Sequence, residues 1–352
     1  MGVILSVKGL RVSFFDGSSE LRAIRGIDLE LNEGEVLALV GESGSGKSVT
    51  SKAILGILPH NARVISGEVM YGGRNLLSLG ESELMRVRGR EIAMVPQDPF
   101  LSLDPICRVG YQIAESVASE GSRYSREERR RRAVSLMHEV GIVDAEKRYY
   151  DYPFRFSGGM RQRIAIAAAL ATSPRVLICD EPTTALDVTI EAQILDLIES
   201  LKRERGLSVI FITHDLGVVA RIADRVAVMY AGKIVEVGKV DEVFYNPKHP
   251  YTWALMSSVP SGSGRLATIP GGVPDMKKPI TGDAFAPRSE YAMKIDYLIE
   301  PPFFDISETH KVASWLYHPD APKSDMPKRL SEIIGGRRGE RERICGDEYR
   351  EG

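Results

Sequence analysis

The sequence predicts an α/β fold, and three observations carry that prediction. Short apolar runs rich in β-branched residues recur along the chain: EVLALV (35–40), EIAMVP (91–96), RVLICDEP (175–182) and LSVIFITHD (207–215). Each is apolar on both faces, as buried parallel strands are. The segments SVTSKAILGIL (48–58), TIEAQILDLIESLKRE (189–204) and LGVVARIAD (216–224) alternate with them and carry helical periodicity. Finally, a glycine-rich loop stands between the first of these strands and the first of these helices.

Taken in order, residues 3–40 read as short strands joined by turns, among them LRVSFFDG and GIDLELNEGEVLALVG. Between Gln97 and Arg175 the strand signal vanishes, which predicts a helical subdomain over about 98–175, inserted between two sheet strands. RVAVMYAGKIVEVG (225–238) predicts a hairpin turning at Ala231, Gly232 and Lys233. Past residue 238, proline and glycine rise through NPKHPY, SSVPSGSG and PGGVPDMKKP, marking a boundary. The organisation expected is therefore a core over 1–238, a small appended domain over 239–330, and a charged, loose tail over 331–352.

Composition narrows the class. With 46 basic against 48 acidic residues there is no global pull towards nucleic acid, and no nucleic-acid partner is expected. The longest charge-free stretch, His249 to Gly264, is sixteen residues, rich in serine and broken by Pro250 and Pro260. Crossing a bilayer takes about 20 mostly apolar residues, so the chain is not expected to span one. Its start has strand-like spacing and no cationic leader before a cleavage site. Cys107, Cys179 and Cys345 are scattered and fit a reducing compartment. The basic run REERRRR (126–132) reads as a solvated helix face, with contact to lipid headgroups or channel loops as the alternative.

GESGSGKS (41–48) satisfies G-x-x-x-x-G-K-S in its confirming context of strand, loop and helix. Gly41, Gly44 and Gly46 let backbone N–H groups wrap phosphates, Lys47 reaches the outer phosphates, and the Ser48 hydroxyl suits Mg²⁺. VLICDEP supplies two acids at a strand end. Asp180 suits the Mg²⁺ shell through a water, because Mg²⁺ keeps much of its hydration, and Glu181 suits orienting or deprotonating an attacking water. A second anion cradle stands at RFSGGMRQRIAIAAAL (155–170), where Ser157, Gly158 and Gly159 open a helix whose unpaired N–H groups can receive phosphate.

These pieces, in this order, resemble the ATP-binding subunit of an ATP-binding-cassette (ABC) transporter. The phosphate loop is followed by Gln97 in MVPQDP, the signature Ser157-Gly158-Gly159, Asp180-Glu181, Ala185-Leu186-Asp187, and His214 in THD. The resemblance implies a P-loop NTPase core with an antiparallel β subdomain, a helical subdomain and a C-terminal extension. It implies an Mg²⁺-dependent ATPase in which Gly41, Glu42, Ser43, Gly44, Ser45, Gly46, Lys47, Ser48 and Val49 contact nucleotide. Phe14 is expected to stack on adenine, with Phe15 as its rival. Glu181, His214 and Gln97 take catalytic roles, and Ser48, Gln97 and Asp180 attend the metal. Ser157, Gly158, Gly159 and Met160 would close over the ATP of a second ATPase subunit, identical or paralogous, with Asp187 at the seam between the two. The signature departs from the common LSGGQ at Phe156 and Met160, leaving its amide-bearing core intact.

QDPFLSLDP, YNPKHPYTWAL and GDAFAPRSEYAMKID further resemble the oligopeptide and dipeptide importer branch. That implies two integral membrane permease subunits, an external solute-binding protein acting indirectly, and a location on the cytoplasmic face of the membrane. Peptides, nickel and oligosaccharides are all carried by relatives of this branch. Many members bind a four-iron four-sulfur cluster through four cysteines. The aligned positions here are Asp283, Ser289, Asp296 and Ser314, so no cluster is expected. The alternatives are a soluble, non-transport ABC ATPase and a regulatory module that binds ATP without turning it over.

Overall fold

The structure is a computed structural model, and it describes residues 2–119, 124–184, 186–258 and 269–335. Two long strands, β1 (Val3–Asp16) and β2 (Ser19–Asn32), form a hairpin, which β4 (Ala62–Tyr71) and β5 (Arg74–Asn75) extend into a four-stranded antiparallel sheet ordered β2-β1-β4-β5. The expected short strands are in fact two 14-residue strands. The turn-like residues that suggested breaks are absorbed as bulges: the β1–β2 register shifts between Val7 and Leu10 and between Val12 and Phe14. The β4 strand has no sequence expectation behind it, because Gly67 interrupts a run whose outer positions face solvent.

The main sheet has eight strands in the order β11-β12-β10-β9-β3-β8-β7-β6. Here β3 is Val36–Val40, β6 Ile92–Val95, β7 Val176–Asp180, β8 Ser208–Thr213, β9 Arg225–Tyr230, β10 Lys233–Lys239, β11 Phe304–Asp305 and β12 Lys311–Val312. Strands β3, β6, β7, β8 and β9 run parallel, and every residue of β3, β7 and β8 is buried. Alternation along them divides two cores: Leu177, Cys179, Val209 and Phe211 face the helical side, while Val176, Ile178, Ile210 and Ile212 face the antiparallel sheet. The expected hairpin joins β9 to β10, with Ala231 (φ 43°) and Gly232 (φ 77°) as its two turn residues and Lys233 already in the strand.

Helix α1 (Lys47–Ile54) follows β3, and α2 (Glu81–Val87) precedes β6. Between β6 and β7, every regular element among the described residues is helical, as expected, including α3 (Pro99–Ser102), α4 (Val109–Ser119), α5 (Arg126–Glu139), α6 (Ala145–Arg148) and α7 (Gly158–Leu170). The basic run opens α5, where a capping box between Ser125 and Glu128 fixes its start and only Ala133, Leu136 and Met137 are buried. Then come α8 (Val188–Arg205), α9 (Leu216–Ile222), α10 (Val240–Tyr245) and α11 (Pro250–Ser257).

The extension after residue 239 is built into the sheet. Its strand β12 pairs with β10, and its Tyr251, Trp253 and Phe285 share one apolar cluster with Ala38, Val40, Val226 and Val228 of β3 and β9. Residues 328–335 are helical, with Leu330 and Ile334 buried in the same cluster. The segment expected to be loose from 331 is therefore packed as far as 335, because a leucine and an isoleucine one helical turn apart reach the core. Residues 336–352, including Cys345, lie outside the described residues, as does Ala185. Among the described residues no helix is long and apolar enough to cross a membrane.

Candidate functional site

The parallel strands deliver their carboxyl ends to one edge of the sheet, where open α/β sheets hold ligands. The loop leaving β3 there carries the phosphate motif. Gly41 has φ 156° and its missing Cβ would stand 2.0 Å from the Met229 carbonyl oxygen, so no side chain fits between this loop and β9. Gly46, at φ 108°, ends the loop and caps α1. The Lys47 Nζ folds back over the loop and donates to the carbonyls of Gly41 (2.7 Å) and Glu42 (3.1 Å). Burial depresses the Lys47 ammonium, while Glu181, Asp180 and Glu42 act to hold it up. A buried cation whose direct hydrogen bonds go to neutral carbonyls is suited to an anion with several charges. The Ser45 hydroxyl is buried inside the loop without a hydrogen-bond partner.

Ser48 donates to Asp180 Oδ1 at 2.8 Å. Burial raises the Asp180 carboxyl, the hydrogen bond from Ser48 opposes this, and Glu181 beside it reinforces it. Two hard oxygen donors in contact at the foot of a phosphate loop fit Mg²⁺.

Glu181 leaves β7 in a left-handed backbone (φ 48°), fixed by its N–H donating to the Ile212 carbonyl at 2.9 Å. That turn swings its carboxylate away from Asp180 and towards three polar groups. Glu181 Oε2 accepts from Gln97 Nε2 (3.1 Å) and Thr184 Oγ1 (3.0 Å), and His214 Nδ1 lies 3.5 Å away. Gln97 comes from the loop after β6 and His214 from the end of β8. Gln97 thus pairs with Glu181, one of its two expected neighbourhoods. Thr184 was not anticipated, since a threonine after a strand is too common to stand out.

Gln97, Glu181 and His214 line a cleft of about 1180 Å³, together with Gly41, Glu42, Ser43, Gly44, Gly46, Lys47, Ser48 and Val49 of the loop. Phe14 and Phe15 both reach it; Phe15 is the more exposed and lies under the Arg63 guanidinium at 5.7 Å. Part of the wall comes from the extension, through Leu255, Ser258, Ile269, Met276 and Lys277. Leu255, Met276 and Lys277 lie in stretches that mark the extension, but nothing in those stretches ties them to the nucleotide cleft, so sequence reasoning missed their place in its wall.

The second cradle faces elsewhere. Ser157 caps α7 by accepting from the Met160 N–H at 3.4 Å, and Gly158, Gly159 and Met160 form the first turn of that helix. Asp187 caps α8 by accepting from the Ile190 N–H at 2.9 Å. None of Ser157, Gly158, Gly159, Met160 and Asp187 is among the residues lining the cleft. The two helix starts touch each other instead, with Gly159 against Ile190 and Gly158 near Leu186.

The four positions aligned with cluster cysteines make local turns. Asp283 accepts from Phe285 N–H (2.9 Å), Asp296 from Met293 N–H (2.7 Å), Ser289 from Tyr291 N–H (3.2 Å) and Ser314 from Leu316 N–H (3.4 Å).

Residues 24–184 match the ABC transporter family, and residues 235–295 match the C-terminal region of oligopeptide/dipeptide transporters. The chain is 55% identical to the oligopeptide transport ATP-binding protein OppD of Bacillus subtilis (strain 168), over 93% of this chain and 92% of that one. It is 52% identical to the dipeptide transport ATP-binding protein DppD of Lactococcus lactis subsp. cremoris (strain MG1363), covering 91% and 93%. Among solved structures it is similar to the ATP-binding cassette MJ0796, in a dimeric post-hydrolysis state bound to ADP and Pi. There the TM-score is 0.61 and the identity 28%, over 67% of this chain and 98% of that one. A nucleotide cleft of this geometry, joined to an extension of this type and to relatives this close, has one reading: the chain belongs to the ATP-binding subunits of ABC transporters, in the oligopeptide/dipeptide branch.

Proposed function

We propose that this chain hydrolyses ATP at the cytoplasmic face of a membrane to drive uptake of oligopeptides or dipeptides through two integral permease subunits. The observation that carries the catalytic part is the convergence of Gln97, Thr184 and His214 on Glu181 at the mouth of the phosphate-loop cleft. The loop N–H groups and Lys47 hold the triphosphate, and Phe14 stacks on the base. Ser48 and Asp180 would hold Mg²⁺, which would neutralise charge on the phosphates. Glu181 accepts the proton of the attacking water, while His214 and Gln97 fix that water's direction. No iron–sulfur cluster takes part: oxygen side chains stand where thiolates would be needed.

The separation of the two cradles supports work in pairs. Ser157, Gly158, Gly159 and Met160 receive the phosphates held by a second ATPase subunit, and Asp187 lies at the joint. ATP then favours the closed pair, and hydrolysis releases it. An external solute-binding protein delivers the solute from the other side.

The solute class rests on the extension and on the named activities of the relatives. Its test is phosphate release by the importer reconstituted in vesicles with its permease subunits and binding protein. Short peptides are expected to stimulate release several-fold. Stimulation by nickel or an oligosaccharide, with none by peptides, would contradict the assignment.

A further inference from the structure

Within the phosphate loop, Glu42 is a carboxylate placed beside the seat of a polyanion, where it opposes binding unless neutralised. Its neutralising partner comes from the extension. Arg288 Nη1 donates to Glu42 Oε2 at 2.8 Å and Nη2 to Glu42 Oε1 at 3.1 Å, a two-pronged pair with the guanidinium side chain only 6% exposed. Nη1 also donates to the Tyr230 hydroxyl at 3.0 Å, and Nε donates to the Pro270 carbonyl at 2.7 Å. Tyr251, a further residue of the extension, accepts from the Glu42 N–H at 2.7 Å through its hydroxyl. The loop is thus held at both backbone and side chain by residues more than two hundred positions away in sequence.

The same arginine reaches the wall of the cleft. Pro270 adjoins Ile269, and the segment running on to Met276 is tied to β2 where the Arg22 N–H donates to the Met276 carbonyl at 3.1 Å. Resting on the nucleotide-site reading above, we infer that Arg288 is a positioning residue for ATP, which cancels the Glu42 charge and fixes the phosphate loop, so that the extension is a working part of the nucleotide site. Displacement of the extension would lower ATP affinity without touching Glu181.

The sign of the charge makes this testable. In the intact chain, Arg288→Ala bares Glu42 and is expected to raise the Kd and KM for Mg-ATP about tenfold, the scale of one lost charge-assisted pair, with kcat within about twofold. Adding Glu42→Gln removes the uncompensated carboxylate, and the double variant is expected to recover to within about threefold of wild type. Arg288→Lys keeps the charge, loses the fork and should fall between. A purely structural arginine would lower Tm on Arg288→Ala while the folded chain kept the wild-type Kd for Mg-ATP. If Arg288→Ala and Arg288→Lys bind ATP like wild type, or if the double variant is no better than Arg288→Ala, the inference is overturned. A wild-type chain that binds no ATP would overturn the nucleotide-site reading itself.

Discussion

Glu181 owes its place to a backbone that most side chains avoid. A left-handed conformation at a non-glycine residue costs about 1–3 kcal/mol and persists only where its surroundings hold it. The hydrogen bond from its N–H to Ile212 does so here, and the result is a carboxylate aimed at Gln97, Thr184 and His214. The two acids were legible in sequence from the strand they end, and the histidine and the glutamine from the order of motifs that the family resemblance supplies. Thr184, Tyr251 and Arg288 were not, since their roles depend on what folding brings near them. A second residue-scale feature is the buried pair His249 and Asp283, with Nε2 3.9 Å from Oδ2. Burial pushes Asp283 up to about 6, against the Phe285 N–H and Arg25, and pushes His249 down to about 4, against Glu236. For Asp283 the folded chain holds its proton more tightly than the unfolded chain, so that stability is full below the usual carboxylate range and is lost as pH rises through about 6. For His249 the reverse holds, and stability is lost as pH falls from its usual value towards about 4. Asp283→Asn should therefore raise Tm by roughly 2–5 °C near pH 7.5, raise it little near pH 4, and leave a steeper acid-side loss from His249. Thermal melts across that range check it; an equal gain at both ends would contradict the assigned shift.

At the scale of elements, the signature depends on two helix starts locked together. A Cβ on Gly159 would meet Ile190 Cγ2 at 2.3 Å, so α7 approaches the first turn of α8 only because position 159 has no side chain. That contact joins the first turns of the two helices that Ser157 and Asp187 cap. Gly159→Ala is expected to cost about 1–3 kcal/mol by overpacking and to lower ATP turnover, and Ile190→Ala in the same chain should restore much of the melting temperature. Absence of that recovery would show that the glycine matters for another reason. The helices and parallel strands were legible because their apolar periods are long and clean. Strands β1, β2 and β4 were less so: bulges at Gly9 and near Phe14 break the alternation, and a bulged strand reads as two short ones.

In the whole molecule, one sheet carries the reaction and the extension alike. Its parallel strands place the phosphate loop, both acids and His214 at one edge, while β10 accepts β12 of the extension at the other end of the strand order. Proline and glycine past residue 238 led the sequence reading to place a boundary there. The sharing of one core across it was not readable, because composition marks where a chain turns and says nothing of what it packs against. The same arrangement leaves the signature away from the cleft of its own chain, which is why the mechanism is assigned to a pair. The most direct test of the account is steady-state phosphate release by the assembled importer carrying wild-type chain or Glu181→Gln, with ATP binding measured alongside. The expected result is a fall on the order of 10²- to 10³-fold in release with ATP binding retained; equal release by the two would contradict the account.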